Sequence, residues 1–406
     1  MTTATTPSTS TRTTLVLAVL FAGAFVMGCA EMLVVGLIDL IAADLFVSLA
    51  AAGALVTANA LGLAIGGPLL TFLVTRFDRR PVLIVATAVF VAGNLLPALG
   101  GDYIVFLIAR VVIGAVQGLF IAAAMITATS IVPPERAGRA MALVISGFAT
   151  SSALGLPLGT LLGQAVGWRG AFTAVVALAA LILAAAVMLL PSVPSAPGHG
   201  ALGQARAAFA PRVLALLGLC AVIFVAIQSA LTYVVPYLDQ VTGVSGATVS
   251  VYLLAYGVAT TVGSMLGGRF ADANARGALI VGTIGVTASL LAWLLFGGNA
   301  VVVFLCVLGM GLFGMGMAPS LQHRVVSLAG PGAALAASLP ASAVNAGIAI
   351  GSLSGGVALS VGGVSGAVVT GVAVAAISIA VAWATSVLRP VAAASIRQTS
   401  AANQLQ

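Results

Sequence analysis

Glu31 stands inside an apolar run that begins at Leu15, in the stretch "GCAEMLVVGLIDL" from Gly28 to Leu40. A carboxylate at the centre of a hydrocarbon layer costs about 2.5–3.5 kcal/mol on insertion scales, so it needs a partner or a use. Arg110, in "FLIARVVIGAVQG", is the one base placed inside a long apolar run, and Glu31 is the one acid. Glu31 precedes Asp39, at the end of its run, by eight residues, about 12 Å at 1.5 Å per residue. Arg110 follows Ile104 by six, about 9 Å. The two groups are thus expected at similar depth, and a pairing would offset the cost of burying both. The chemistry open to such a carboxyl is exchange of a proton as its surroundings open and close. A static salt bridge that only holds helices together is the alternative.

No second chemical set accompanies this pair. His199 and His323 fall in predicted loops, and no apolar run carries paired carboxylates. An intramembrane enzyme needs a nucleophile or metal at membrane depth, so no enzymatic activity is expected. Cys29, Cys220 and Cys306 all lie within apolar runs, which predicts neither a disulfide framework nor a metal site, and no cofactor is implied. A non-transporting receptor or scaffold stays open as a different class of function.

Composition fixes the setting for these side chains. Of 406 residues, 61% are hydrophobic and 6% charged, with mean hydropathy +1.24. A soluble domain is about one quarter charged; a chain this poor in charge must turn most of its surface to lipid. The net charge of +7 does not point to nucleic acid, because the basic residues are scattered between apolar runs rather than gathered on one face. All 15 basic residues are arginine, which with the Ala and Gly excess suggests a GC-rich bacterial genome. Arg12, the run from Leu15 and "VMGC" look like a lipoprotein signal peptide. The run continues past Cys29 to Ile38, however, and reads as an uncleaved first helix.

Twelve runs reach the length needed to cross a bilayer as helices: 15–38, 50–74, 82–99, 104–131, 141–166, 170–190, 213–237, 248–268, 278–297, 300–320, 335–360 and 364–388. The expected organisation is a tail (1–14), a six-helix bundle (15–190), a Pro/Gly/Ala-rich linker (191–212), a second six-helix bundle (213–388) and a tail (389–406). With the N-terminus inside, 13 of the 15 arginines fall on inner segments, while the outer loops hold Arg169 with Asp39, Asp44, Asp102 and Asp239. That asymmetry places both termini in the cytoplasm. The halves also repeat. "LLTFLVTRFDRRPVLI" after the second run and "MLGGRFADANARGALI" after the eighth align under a shift of 197 residues, which sets Arg79 on Arg276, Thr75 on Asp272 and Glu31 on Gln228. Two parallel repeats with a site between them are a recurrent transporter plan.

Three strings carry a family resemblance: "TFLVTRFDRRP" after the second run, "FLIARVVIGAVQG" in the fourth, and "GLPLGTLLGQAVGWRGAF" spanning the fifth and sixth. In these the chain resembles the major facilitator superfamily, and within it the twelve-helix drug:proton antiporters, over residues 15–388. The family's loop reads G-x-L-x-D-R-x-G-R-R. Here Arg76, Arg79 and Arg80 match, Thr71 and Thr75 replace Gly and Asp, and Asp78 stands at the later Gly; the second copy keeps Gly268 and Asp272. The resemblance implies that Arg76, Arg79, Arg80, Asp78, Asp272 and Arg276 act in an inner gate. Arg110 and Gly114 match an R-x-x-x-G signature. Gly155, Pro157 and Gly159 match the G-x-P-x-G antiporter signature, which with Gly163 gives a small face and a kink point for rocking against the other half. Ala30-Glu31-Met32 aligns with the Thr-Glu-Phe of chloramphenicol-resistance and arabinose-efflux-type permeases, whereas their following Pro-Asp becomes Asp39-Leu40.

The fold expected is therefore an all-α membrane protein of twelve helices in two pseudo-symmetric bundles. Glu31 and Arg110 are the proton-coupling candidates. Asn59, Gln117, Gln228, Tyr233, Tyr237, Tyr252, Tyr256 and Asn345 are the candidates to line a cavity suited to an amphipathic, mostly uncharged ligand. The expected function is proton-coupled export of amphipathic small molecules, chloramphenicol-like antibiotics included, by a monomer in a bacterial inner membrane. Its partners are the small-molecule substrate, protons and the lipid bilayer. Sugar or metabolite efflux is the alternative. It is disfavoured because Trp168 falls in an outer turn, and Trp293 and Trp383 fall on the ninth and twelfth helices, which face lipid in that superfamily.

Overall fold

The computed structural model describes residues 9–193, 208–330, 333–337 and 339–388. These residues are helical almost throughout, in spans that follow the apolar runs. We label the spans α1 (Arg12–Gly36), α2 (Leu49–Leu73), α3 (Arg79–Leu99), α4 (Tyr103–Ser130), α5 (137–166), α6 (168–189), α7 (Pro211–Leu231), α8 (Ala247–Ala271), α9 (Asn274–Phe296), α10 (Ala300–Ala329), α11 (339–362) and α12 (364–386). The α5/α6 and α11/α12 pairs are continuous helices except at Gly167 (φ 78°) and Gly363 (φ 65°), whose left-handed backbone reverses the chain. Much of the 191–212 linker and the whole C-terminal tail lie outside the described residues, as do the first eight residues. Arg206, Arg389, Arg397 and His199 fall there too.

The internal repeat is written in the backbone. Gly167 and Gly363 are separated by one residue less than the 197-residue sequence shift. So are Leu37 (φ −125°, ψ 18°), where the first helix breaks before Ile38–Asp44, and Tyr233 (φ −110°, ψ 20°), where α7 breaks before Val234–Tyr237. Glycine ladders then bring corresponding helices together. A Cβ added at Gly155, Gly159 or Gly163 of α5 would fall 2.2–2.5 Å from Cys29, Leu33 or Leu37 in or next to α1. One added at Gly347, Gly351 or Gly355 of α11 would fall 2.4–2.6 Å from the carbonyls of Ala221, Val225 or Ser229 on α7. With hydrocarbon outside, such close backbone approach is what binds membrane helices to each other.

Prolines shape two of the spans. Pro157 follows a π-turn at Ser151–Gly155, and Pro68 follows another at Gly62–Gly66. Proline lacks an N–H and crowds the carbonyl four residues earlier; a widened turn accommodates both effects. The sequence places the small face of α5 against the other half, but the structure turns it to α1 within its own half. The approach across the seam comes one turn earlier, where Gly257 of α8 meets Ser152 and Ala153, with a Cβ there only 2.2 Å from the Ser152 carbonyl.

One end of the bundle carries Asp39, Asp44, Asp102 and Asp239, and is called the acidic end below; the other carries the arginines around α3 and α8. At the acidic end Asp44 forms an ion pair with Arg169 and accepts from Trp168 Nε1 at 3.1 Å, while the Arg169 guanidinium lies 4.4 Å from the Trp168 ring centroid. Trp168 is stacked on Phe106. The halves are tied in this same part of the bundle. Ser352 Oγ donates to Gly53 O at 2.9 Å, Thr57 Oγ1 to Ala349 O at 3.3 Å, and Gln164 Nε2 to Gly246 O at 3.1 Å.

Candidate functional site

Arg110 and Gln117 lie two turns apart on one face of α4 and are wholly buried. Arg110 Nη1 donates to Ala30 O at 3.0 Å, Nη2 to Glu31 O at 3.4 Å, and Nε to Leu55 O of α2 at 3.3 Å. Gln117 Nε2 donates to Met27 O at 2.8 Å and its Oε1 accepts from Asn59 Nδ2 at 3.0 Å. Each helical carbonyl retains a second lone pair after its own ladder bond, and α4 spends Arg110 and Gln117 on those of α1 and α2. The result is a polar seam inside the first half, running from Met27 to Glu31.

Glu31 joins this seam through its backbone carbonyl and not through its carboxyl. Its side chain is 6% exposed, and Oε2 has no hydrogen-bond partner. The sequence places Glu31 and Arg110 at one depth, and the contacts of Arg110 with Ala30 and Glu31 agree. The expected carboxylate–guanidinium pair, however, does not form within 4 Å. Arg110 reaches the backbone of α1 instead, because three carbonyls converge where its planar donors can reach them.

The remaining cavity candidates divide by what their polar atoms already do. Tyr233 donates to Ser352 O at 2.9 Å and Tyr252 to Ala300 O at 2.8 Å. Tyr237 packs edge-on against Trp293, with ring centroids 5.4 Å apart. Gln228, which the sequence shift sets on Glu31 although the backbone offset sets Ile227 there, donates to Thr232 Oγ1 one turn on, at 3.0 Å. Among the described residues, buried free atoms remain on Glu31 (Oε2) and on Asn59 and Asn345 (Oδ1 of each), and the hydroxyl of the buried Tyr256 donates to none of these residues. Trp293 is fully buried rather than lipid-facing, because its side of α9 packs on Tyr237; Trp383 is 61% exposed.

The chain matches the Major Facilitator Superfamily over residues 20–339. It belongs to that superfamily. It is 34% identical to the MFS-type transporter YtbD of Bacillus subtilis (strain 168), over 82% of this chain and 86% of the relative. It is 30% identical to a chloramphenicol resistance protein of Streptomyces lividans, over 80% and 84%. The fold superposes with TM-score 0.79, at 16% identity, on the crystal structure of a bacterial homologue of the human lysosomal transporter Spinster in an inward-facing, occupied conformation, covering 92% of this chain and 96% of the other. The chain is accordingly a multi-pass membrane transporter, of a superfamily whose members bind small molecules within the bilayer.

Within a facilitator fold the basic loops take on meaning, and here they clamp their own half. Arg80 Nη2 donates to Val187 O near the end of α6 at 2.7 Å, the Arg79 backbone N–H to Val193 O at 2.9 Å, and Ser192 Oγ to Asp78 at 3.1 Å. In the second half Arg324 holds the end of α12, donating to Thr385 O at 2.9 Å and Leu388 O at 3.1 Å. Arg324 and His323 lie on α10, which runs to Ala329 rather than stopping at 320 as the hydropathy suggests. Sequence reasoning missed Arg324 for that reason. It also missed Ser352 and Gly53, whose only signal is a place among small residues such as "GSLSGG".

Proposed function

We propose that the chain is a proton-coupled exporter of amphipathic small molecules, chloramphenicol-like antibiotics among them, working by alternating access as a monomer in a bacterial inner membrane. The observation that carries this reading is the Glu31 carboxyl: buried, unbonded at Oε2, and beside an arginine whose three nitrogens each donate to a backbone carbonyl. A carboxyl already tied into a salt bridge would have to break it to take up a proton; this one does not. Intramembrane ionisable groups are functional candidates by default. The similarity to a Streptomyces chloramphenicol resistance protein supports the substrate class, as does the small number of buried polar atoms left without a partner.

In this proposal residues 15–190 and 213–388 are the two moving bundles, joined by 191–212, with both tails in the cytoplasm as the arginine distribution suggests. Arg76, Asp78, Arg79 and Arg80 with Asp272 and Arg276 serve the cytoplasmic gate, and the kinked α5 serves the rocking. Sugar export fits less well, since Trp168 and Trp293 are packed inside their own halves and cannot stack on a ligand between them. The test is drug-susceptibility profiling in a pump-deficient bacterial host, together with substrate-induced proton release from purified protein. Drug protection by the wild type, and proton release that disappears in Glu31→Gln, are expected. Release that persists in the variant overturns the role of Glu31.

A further inference from the structure

Tyr233 sits where α7 breaks, and its phenol lies in a slot between the halves. The hydroxyl donates to Ser352 O on α11 at 2.9 Å, and the Ser352 hydroxyl donates across the seam to Gly53 O on α2 at 2.9 Å. One glycine from each half forms the walls. A Cβ on Gly53 would lie 2.1 Å from the Tyr233 hydroxyl oxygen and 2.7 Å from Cζ, and a Cβ on Gly356 would lie 2.5 Å from the same oxygen. One turn further along α2, Thr57 makes its own bond to Ala349 of α11.

This geometry is unlike a ligand site. Tyr233 is 1% exposed and Ser352 fully buried. Both hydroxyls donate to protein carbonyls, and the slot has no room beside the ring. A buried phenol needs a hydrogen-bond acceptor. Here the acceptor belongs to the residue whose side chain makes the crossing bond. The slot and the crossing bond are complete only while α2 and α11 touch, so opening the acidic end takes Gly53 away from both the ring and the serine.

We infer that Tyr233, Ser352 and Gly53 form a latch that holds the acidic end shut, and that Tyr233 is a positioning residue of the transport cycle rather than a substrate contact. The latch rests on the alternating-access reading, because it has a role only if a second state opens this end.

The experiment measures that equilibrium directly on the purified full-length chain. Spin labels are placed at positions 101 and 298, in turns of the two halves at the acidic end, after the three buried cysteines are replaced. Ser352→Ala, which removes the donor of the crossing bond, is expected to raise the open-to-closed ratio roughly threefold to tenfold, the factor that one net hydrogen bond is worth. Tyr233→Phe removes the bond that fixes Ser352 within the second half and the oxygen that Gly53 closes over, and should shift the ratio in the same direction by less. Gly53→Ala should raise it further, since its methyl occupies the place of the phenol. Substrate affinity in Tyr233→Phe should change no more than the shift in ratio accounts for. An unchanged ratio in Tyr233→Phe and Ser352→Ala, in a protein that still transports, overturns the latch alone. A larger loss of affinity in Tyr233→Phe returns Tyr233 to the substrate site and also overturns it. A single distance in the wild type, unmoved by substrate or pH, overturns the alternating-access reading and the latch together. Should Gly53→Ala not fold, the two single-oxygen variants decide the matter.

Discussion

Arg110 Nη2 donates to the backbone carbonyl of Glu31 at 3.4 Å and leaves the Glu31 carboxyl with an unbonded Oε2. The two residues are neighbours without being a salt bridge, and this separates two roles that sequence reasoning joins. Arg110 ties α4 to α1 and α2 through carbonyls that are present whatever the carboxyl does. Glu31 is free to change its protonation without unmaking that tie.

The first prediction follows from this separation. Breaking a buried ion pair by neutralising one partner costs about 3–5 kcal/mol. Glu31→Gln should escape that penalty, because Arg110 keeps its acceptors at Ala30, Glu31 and Leu55. We expect thermal unfolding close to wild type together with loss of proton-driven export. Arg110→Ala should do the reverse and lower expression and thermal stability severely, with no rescue from a second change at Glu31. Thermal melts of purified variants check both; recovery of the Arg110 variant by Glu31→Gln would point to an ion pair after all.

A second prediction distinguishes structural from ligand-binding polar groups. Gln117 serves Asn59 and Met27 at once, so Gln117→Leu strands the buried Asn59 amide, at about 1–3 kcal/mol, while the Met27 carbonyl keeps its ladder bond within α1. Its substrate affinity, measured on the protein that remains folded, should be unchanged. Tyr256→Phe removes a hydroxyl bonded to none of the described residues, so it should leave the melting temperature in place and weaken substrate binding several-fold. Binding isotherms on both variants provide the test.

How much of this is legible in the sequence differs from residue to residue. The twelve spans are, because hydrocarbon thickness sets a minimum run length, and so is the repeat of the halves, within one residue of the offset that the backbone breaks at Leu37 and Tyr233 show. The common depth of Glu31 and Arg110 is readable from helical rise. What Arg110 bonds to is not, since backbone carbonyls are the same in every sequence and leave no mark on composition. The partner of the α5 glycines is hidden for a related reason: Gly155 and Gly159 announce a close approach but not which helix approaches. His323 and Arg324 look like loop residues because polarity alone ends the tenth run, whereas α10 continues past the apolar stretch and buries Arg324 against the end of α12.

The third prediction uses the packing of α5. Gly159 faces Leu33, and a Cβ added at Gly159 would lie only 2.5 Å from Leu33 Cδ1. Gly159→Leu forces a whole side chain into the α1–α5 contact, and overpacking of this kind costs about 1–3 kcal/mol. It should lower thermal stability as well as transport. Pro157→Ala instead restores a backbone donor after the π-turn at Ser151–Gly155, so the protein should stay folded while transport slows. Comparing initial export rates at matched levels of folded protein checks the contrast; equal rates for wild type and Pro157→Ala would reduce the kink to a packing feature.

The last prediction concerns acidity at the seam. A cavity of about 270 Å³ at the acidic end is lined by Asp39 from the first half and by Asp239 and Gln240 from the second. The Asp39 carboxyl is held above its ordinary range, foremost by burial against the cavity and further by the Asp239 charge. The neighbouring Asp44 is engaged by Arg169, so that cation is not available to relieve it. A carboxyl whose pKa is raised in one state penalises that state when ionised. The penalty is fully present above the raised value and is lost as pH falls toward the ordinary carboxylate range. Acidification should therefore favour the closed acidic end, by a modest factor because both side chains meet solvent at the rim. The spin-label distance distribution between positions 101 and 298, recorded from neutral to mildly acidic pH, should gain closed population as pH falls. Asp239→Asn should flatten that response, since Asp39 then titrates without an opposing charge across the seam. A wild-type response of the opposite sign, or one that Asp239→Asn leaves untouched, would mean that the two aspartates do not sense each other through the gate.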